Sequence, residues 1–324
     1  MDPLDTLLDE LNQEPKMPAQ ASLYLFSNLE PGDVMRVRET WVCLPDALRQ
    51  QMIARLIQVA EADFEANFDA VFYLGLEDDD AQVRTTAIEG LWEDENVSLI
   101  PILIDRLQED ESIAVREAAA TSLGRFILLG ELEKIRPDPC ALTYDALLAA
   151  CQDVEEDTDV QRRALESLAY TNNETVAALI ERAYAAPEEI VHISAIFAMG
   201  RSADTRWAGY VRQELFQPDP ALRYEAARAC GELHLGKAVP DLEELADDVD
   251  LQVQEAALWA LGQIGGDKAR KILERYCTAS NEATRAAAEA ALEELEFLHG
   301  DLSTFITRLV SDRSDTASHT HDEL

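Results

Sequence analysis

Histidine and cysteine are the residues whose spacing would reveal a metal site or a nucleophile, and both are scarce in this chain. Its 324 residues include five of each. None of the histidines forms a His-Glu pair, and no two cysteines have CxxC spacing. The motifs of zinc proteases, serine hydrolases and phosphate-binding loops are missing as well. The sequence therefore predicts no catalytic residue, no metal site and no cofactor.

Three features of the sequence indicate where such a protein works. The odd number of unpaired cysteines is typical of a reducing cytoplasm. The amino terminus is acidic and lacks the basic region of a secretory signal. No apolar run approaches the ~18 residues that a membrane span needs. We expect a cytoplasmic protein without membrane contact. His319 and His321 are close enough to share a metal ion, but no further ligands cluster around them.

The charge of the chain restricts its partners. Its 64 acidic and 27 basic residues give a formal charge of −37. Such a surface repels phosphate backbones and anionic lipids, which argues against nucleic acid and membrane as partners. A protein partner with a basic segment fits better. A surface adapted to high salt would give the same composition and is the alternative interpretation.

One pattern recurs along the chain and defines the elements that would position any site. The motif V-[RQ]-x-x-A-x-x-x-L, with its first residue numbered zero, begins seven times at spacings of 32, 45, 31, 31, 31 and 31 residues. A regular period in this range is typical of stacked helical hairpins. The seven starts are Val83, Val115, Val160, Val191, Leu222, Val253 and Thr284.

The side chains in each column of the motif support this alignment. Position 4 is always alanine, position 7 is always small and position 8 is usually large and apolar. These positions share one face of a helix, where small residues let neighbouring helices approach closely. We expect the alanine column to lie between stacked layers. The alanines are Ala87, Ala119, Ala164, Ala195, Ala226, Ala257 and Ala288.

The segments "DDDAQVRTTAIEGL" (78–91) and "DESIAVREAAATSL" (110–123) combine an acidic turn with a "VR" that leads a helix. In this they resemble HEAT repeats, and the short period is similar to that of bacterial HEAT-like repeats of the phycobilisome-lyase type. The resemblance implies an all-α, right-handed α-solenoid of about eight hairpins. It also implies an alternative function, that of a bilin lyase-like or chaperone-like protein. The HEAT-repeat enzyme deoxyhypusine hydroxylase binds iron through His-Glu pairs, which this chain lacks. The HEAT-like DNA glycosylases need a basic groove, which the charge of −37 disfavours.

The regions outside the pattern complete the predicted organisation. We expect a flexible acidic arm at 1–17, a helical amino-terminal cap at 18–65, a repeat array at 66–311 and a disordered tail at 312–324. The extra residues between the second and third motifs predict an inserted loop near 130–144. Gly200, Gly231, Gly262 and Gly265 stand near the ends of motif helices and suggest sharp reversals there.

Positions 2, 6 and 10 of the motif point away from the core side of the helix. In a solenoid the motif helix usually lines the concave face, so these positions are candidates for partner binding. They and the positions next to them carry aromatic and arginine side chains, which interface hot spots favour. Packing of the rings between helices, with arginines in salt bridges, is the alternative. The candidate partner-binding residues are Arg162, Tyr170, Phe197, Arg201, Tyr224, Arg228 and Trp259.

These observations predict a non-catalytic scaffold or adaptor of a bacterial cytoplasm. Its partner would be a protein carrying a basic segment, or one that combines an acidic and an apolar feature. The arginines at position 1 are expected to stabilise the fold by pairing with turn carboxylates such as Asp78 and Asp110. Cys230, in the large-residue column, is expected to be a buried apolar side chain rather than a nucleophile.

Overall fold

The computed structural model describes residues 2–299 and contains only helices and connecting turns in that range. It divides into two compact units, Met1–Leu168 and the chain from Ala169 onward. The helices of the first unit are α1 (Pro3–Gln13), α2 (Gln20–Leu23), α3 (Pro31–Trp41), α4 (Asp46–Ala62), α5 (Asp69–Gly75), α6 (Ala81–Gly90), α7 (Leu99–Glu109), α8 (Ile113–Glu131), α9 (Pro137–Gln152) and α10 (Thr158–Leu168).

The second unit continues the alternation of a shorter helix with a motif helix. Its helices are α11 (Glu174–Tyr184), α12 (Glu189–Arg201), α13 (Ala208–Glu214), α14 (Pro220–Glu232), α15 (Val239–Leu245), α16 (Leu251–Ile264), α17 (Gly266–Tyr276) and α18 (Glu282–His299). The seven motifs lie on α6, α8, α10, α12, α14, α16 and α18, each paired with the helix before it. The expected all-α architecture of stacked hairpins is confirmed. The expected tail at 312–324 lies outside the described residues.

The alanine column packs as the pattern predicts. All seven position-4 alanines have no exposed surface. Within each unit, successive motif helices pack directly on one another, as α6 on α8 and α14 on α16. A methyl group is the largest side chain that such a close approach admits without displacing the neighbouring backbone. Five motif helices begin with an Asp or Asn side chain that accepts hydrogen bonds from first-turn amides; these caps are Asp80, Asp157, Asp219, Asp250 and Asn281.

Three glycines have a different role from the predicted one. Gly200, Gly231 and Gly262 all stand at position 9 and lie inside motif helices rather than at a reversal. A Cβ atom at Gly231 would lie 2.9 Å from the Cα atom of Ala260, the position-7 residue of the next motif helix. Glycine is therefore needed for close contact between helices. Of the four glycines expected at reversals, Gly265 alone has a positive φ, of +68°, as a sharp turn requires.

Four motif helices have arginine at position 1, and three of these arginines connect their helix to a turn carboxylate, as expected. Arg84 donates two hydrogen bonds of 2.8 Å to Asp110, and its Nη1 donates to the carbonyl of Asp78, six residues earlier. Arg223 binds Asp248 and the carbonyl of Gln217 in the same way. Arg116 repeats the pattern with Glu156, and Arg285 reaches the carbonyl of Ala279. These bonds tie the start of a motif helix to the turn before it and to the turn of the next repeat.

Helix α4 shares this arrangement although its sequence does not match the motif. Arg49 lies 2.9 Å from a carboxylate oxygen of Asp78 and donates a hydrogen bond to the carbonyl of Leu44. Helix α4 packs on α6, the first motif helix. The region predicted as an amino-terminal cap thus contains a helix that acts as a motif helix in packing.

Residues 3–13 are a helix, so the expectation of a flexible arm at 1–17 is wrong there. Leu4, Leu7, Leu8 and Leu11 follow helical spacing and are buried, and α1 packs on α3. Asp2 caps the helix by accepting a hydrogen bond from the amide of Leu4. Burial of four leucine side chains supplies enough hydrophobic stabilisation to order an otherwise polar segment.

The expectation of an inserted loop near 130–144 is also wrong. Helix α8 extends to Glu131 and α9 begins at Pro137, so only 132–136 connect them. Pro137 and Pro139 stand in the first turn of α9, where amides have no acceptor within the helix and proline costs little. The extra residues lengthen two helices instead of extending a loop.

Candidate surface for partner binding

The predicted aromatic and arginine side chains of the second unit lie on one face of α12, α14 and α16, and Tyr170 joins them from the turn after α10. We call Tyr170, Phe197, Arg201, Tyr224, Arg228 and Trp259 the strip. Each of these residues is half-buried, neither fully enclosed in the core nor fully exposed. A half-buried row of large side chains leaves one side of each ring or guanidinium accessible to a ligand. Position along the motif was sufficient to find this face.

Arg201 connects the first half of the strip. Its guanidinium carbon lies 5.1 Å from the ring centre of Phe197 and 5.9 Å from that of Tyr170. These distances permit cation–π attraction to both rings. The Nε atom of Arg201 is buried and has no hydrogen-bond acceptor among the described residues. The guanidinium is therefore held mainly by rings, with unused capacity to donate.

Arg228 connects the second half in the same way. Its guanidinium carbon lies 3.9 Å from the ring centre of Trp259, the shortest such distance recorded within residues 2–299. Tyr224 stands one turn earlier on α14, the same helix. Stacking on an aromatic ring restricts a long arginine side chain before a partner binds. Less conformational entropy of that side chain is therefore lost on binding.

Glu232 lies between the two arginines and was not among the predicted site residues. Its carboxylate is 3.5 Å from Arg201 and 3.8 Å from Arg228. Burial raises the pKa of Glu232, an effect that the two arginines only partly offset. It occupies position 10 of the same motif, so the pattern placed it on this face, but sequence alone did not show that it joins both arginines.

Glycines at position 9 make room for these side chains. A Cβ atom at Gly200 would lie 2.7 Å from a carboxylate oxygen of Glu232. One at Gly231 would lie 2.7 Å from the indole of Trp259. The residues that let the helices pack closely therefore also fix the arrangement of the strip.

Arg162, the remaining predicted site residue, lies in the first unit and is engaged by carboxylates. It donates hydrogen bonds to Asp159 and Glu117, at 2.7 and 3.2 Å, and lies 3.7 Å from Glu166. With its donors already paired, Arg162 has a structural role in this unit. Its assignment to partner binding remains a prediction that the contacts do not support.

Chemistry outside the strip is limited to single buried groups. Burial raises the pKa of the Cys230 thiol to about 12, which is the behaviour of a buried apolar side chain. Within residues 2–299 no group of three or more His, Cys, Asp or Glu side chains could hold a metal ion. No helix in this range is long and apolar enough to cross a membrane.

His192 occupies position 1 of the motif on α12, the position at which four other motif helices have arginine. It lies 3.4 Å from Glu214, a buried carboxylate that also accepts a hydrogen bond from the Tyr184 hydroxyl. The ring of His192 packs on Tyr184, with ring centres 4.4 Å apart. The histidine thus connects the motif helix to a carboxylate on α13, as arginine does to a turn carboxylate elsewhere.

Comparison with solved structures identifies the fold. Yeast importin-β (Kap95p) is similar over 91% of this chain and 46% of its own length, with 13% identity and a TM-score of 0.51. The complex of CpcE and CpcF of phycocyanin lyase from Nostoc sp. PCC7120 covers 87% of this chain and 96% of that chain, with 18% identity and a TM-score of 0.44. The similarity to human deoxyhypusine hydroxylase covers 91% of this chain and 97% of that chain, with 19% identity and a TM-score of 0.30. Because the TM-scores of the last two structures are below 0.5, neither similarity supports an inference about the activity of this chain.

Comparison of the sequence with curated proteins finds no match. The family model of HEAT repeats matches residues 70–137 and 210–293, one segment in each unit. These segments contain five of the seven motifs in full, with all four position-1 arginines and five of the seven position-4 alanines. Each unit of this chain therefore contains a segment of HEAT repeats, and the described residues form an all-helical fold of the armadillo type.

Proposed function

We propose that the chain is a non-catalytic scaffold that binds a segment of a partner protein along the strip. The observation that carries this proposal is the row of half-buried rings and arginines on one face of consecutive motif helices. HEAT arrays serve many functions, so the proposed function follows from this surface and not from the fold. Aromatic and arginine side chains contribute most to binding when a partner excludes water from them.

The strip also indicates the chemistry of its partner. Arg201 and Arg228 are held by rings and by long ion pairs to one carboxylate, Glu232. An acidic side chain of a partner can replace or join that carboxylate, while an apolar neighbour covers the rings. The bound segment thus has an acidic and an apolar feature. Outside it, basic residues of the partner are favoured by the charge of −37.

A selection from a random peptide library displayed on phage tests this function. Peptides are selected on the immobilised full chain and sequenced. We expect a consensus with Asp or Glu next to a large apolar residue. Replacing Phe197, Arg201, Tyr224, Arg228 and Trp259 together by Ala should abolish binding of these peptides, while the variant keeps its helicity and unfolds cooperatively at a moderately lower melting temperature.

Two results would contradict the proposal. Selected peptides that bind the five-residue variant as well as the original chain would place the binding surface elsewhere. Unfolding of that variant would show that the strip belongs to the core.

A further inference from the structure

The first unit contains a groove on the same motif positions but with different chemistry. It has a volume of about 600 Å³ and is formed by α6, α8 and one side chain of α10. Ile88 and the small residues Ala114 and Ala118 give it an apolar lining, and Trp92 and Glu89 stand at its side. It belongs entirely to the first unit and shares no residue with the strip.

Trp92 is presented to the groove in a fixed position. It follows α6 directly and is 61% exposed, unusual for so large an apolar side chain. Arg125 of α8 donates hydrogen bonds to the carbonyls of both Leu91 and Trp92. These bonds anchor the backbone that carries the indole, so its ring is available to a ligand with little loss of conformational freedom.

The arginines of the groove already have partners. Arg163 binds Glu117 at 3.0 Å and Glu166 at 2.9 Å. Burial lowers the pKa of Arg125, and the field of Asp94 and Glu95 only partly offsets this effect. Its guanidinium donates to the two backbone carbonyls and has no carboxylate partner within the described residues, so it keeps its charge but turns donors away from a ligand.

Glu89 differs from every other charged side chain that lines the groove. Among residues 2–299 it has no ion-pair partner or side-chain hydrogen bond, although it lies close to the apolar lining. Neighbouring side chains partly desolvate the carboxylate and so raise the pKa of Glu89, although the residue is exposed, and no cation counteracts this effect. Glu89 is thus the lining carboxylate whose oxygens no side chain occupies, and it stands one turn from an exposed indole.

We propose that this groove binds an arginine or lysine side chain of a polypeptide, with the cation between the Glu89 carboxylate and the Trp92 ring. The apolar stem of such a side chain would lie against Ile88 and the alanines, as long basic side chains do on apolar surfaces. Ion pairing and cation–π attraction then act on the same group. The inference is independent of the strip, which selects an acidic feature in the other unit.

A matched pair of blocked peptides tests this site on the full chain. Acetyl-Leu-Arg-Leu-amide carries the cation, and acetyl-Leu-citrulline-Leu-amide has nearly the same shape without charge. Binding is followed by tryptophan fluorescence and by calorimetry. We expect the arginine peptide to bind about tenfold more tightly than the citrulline peptide, since two weak attractions act on the cation.

Substitutions then locate the effect. Glu89→Gln should abolish the difference between the two peptides, and Trp92→Ala should weaken both and remove the fluorescence change. Glu39→Gln removes the same charge from an exposed position on α3 and should change neither affinity by more than about twofold. Equal binding of the two peptides, no binding of either, or equal effects of Glu89→Gln and Glu39→Gln would overturn the proposal. The strip variant keeps this site, so failure here and failure of the strip are distinguishable.

Discussion

Replacing Arg84 by alanine is expected to lower the free energy of unfolding by about 3–5 kcal/mol. The side chains of Arg84 and Asp110 are 7% and 2% exposed, and two hydrogen bonds of 2.8 Å join them. Removing the guanidinium leaves the Asp110 carboxylate buried with only a long contact of 3.5 Å to Arg106, and this loss costs more than the pair itself contributes. Urea unfolding followed by circular dichroism measures the loss.

The exposed pair Arg38–Glu77 provides the control. Its side chains are 60% and 66% exposed at a distance of 2.7 Å. Arg38→Ala should therefore cost less than about 1 kcal/mol. Similar losses for the two variants would show that the arginines at position 1 do not stabilise the stack.

The pair of Arg84 and Asp110 also makes the free energy of unfolding depend on pH, with greater stability at higher pH. Burial pushes the pKa of Asp110 up, but the hydrogen bonds from Arg84 and the Ser112 amide outweigh it and hold the pKa below its ordinary value. The pair therefore stabilises the fold at pH values above that ordinary value, about 3.9. Its contribution is lost as the pH falls through the lowered pKa. The difference in stability between the original chain and Arg84→Ala should shrink in the same range.

Replacing Arg228 by alanine is expected to weaken binding of the selected peptides about 30-fold or more. A hot-spot arginine contributes on this scale when a partner covers it, and Arg228 is fixed for that role by its stacking on Trp259. Stability should fall by no more than about 1 kcal/mol, because its ion pair to Glu232 is long and the arginine is partly exposed. Fluorescence anisotropy of a labelled peptide measures the affinity.

Arg275 is a matched control in the same unit. Its guanidinium lies 5.1 Å from the ring centre of Tyr276 and 3.0 Å from Glu243, but on α17, the other class of helix. Arg275→Ala should leave the affinity within about twofold of the original, since it removes similar contacts from outside the strip. Equal effects of the two substitutions on affinity would mean that loss of any stacked arginine acts through general destabilisation.

The side-chain pattern alone was sufficient to predict the stack of helical hairpins. It also predicted which face of the motif helices carries the aromatic and arginine side chains. A strict alanine column constrains packing so tightly that only a stack of helices satisfies it, and the seven alanines are fully buried. The pairing of Arg84 with Asp110 also followed from residue type and spacing. These features are local and periodic, and this is why a single sequence contains them.

Predictions failed where the outcome depends on a neighbour in space. Leu4, Leu7, Leu8 and Leu11 had helical spacing, but whether they are buried depends on α3, which the acidic composition of the arm did not reveal. Pro137 and Pro139 suggested a break in helical structure, although the first turn of a helix accommodates both prolines. The glycines at position 9 suggested turns, whereas the backbone of the next helix requires them. Glu232 was on the correct face, but its place between two arginines is a tertiary contact.

Photo-crosslinking from one position tests the central claim most directly, the claim that the strip is the surface on which a partner segment lies. Benzoylphenylalanine is introduced in place of Phe197, or in place of Ala178, an exposed residue of α11. Each protein is irradiated with the selected peptide, and the adducts are identified by mass spectrometry. Adducts from position 197 and none from 178 are the predicted result. Adducts from 178 alone, or equal yields from both, would contradict the account.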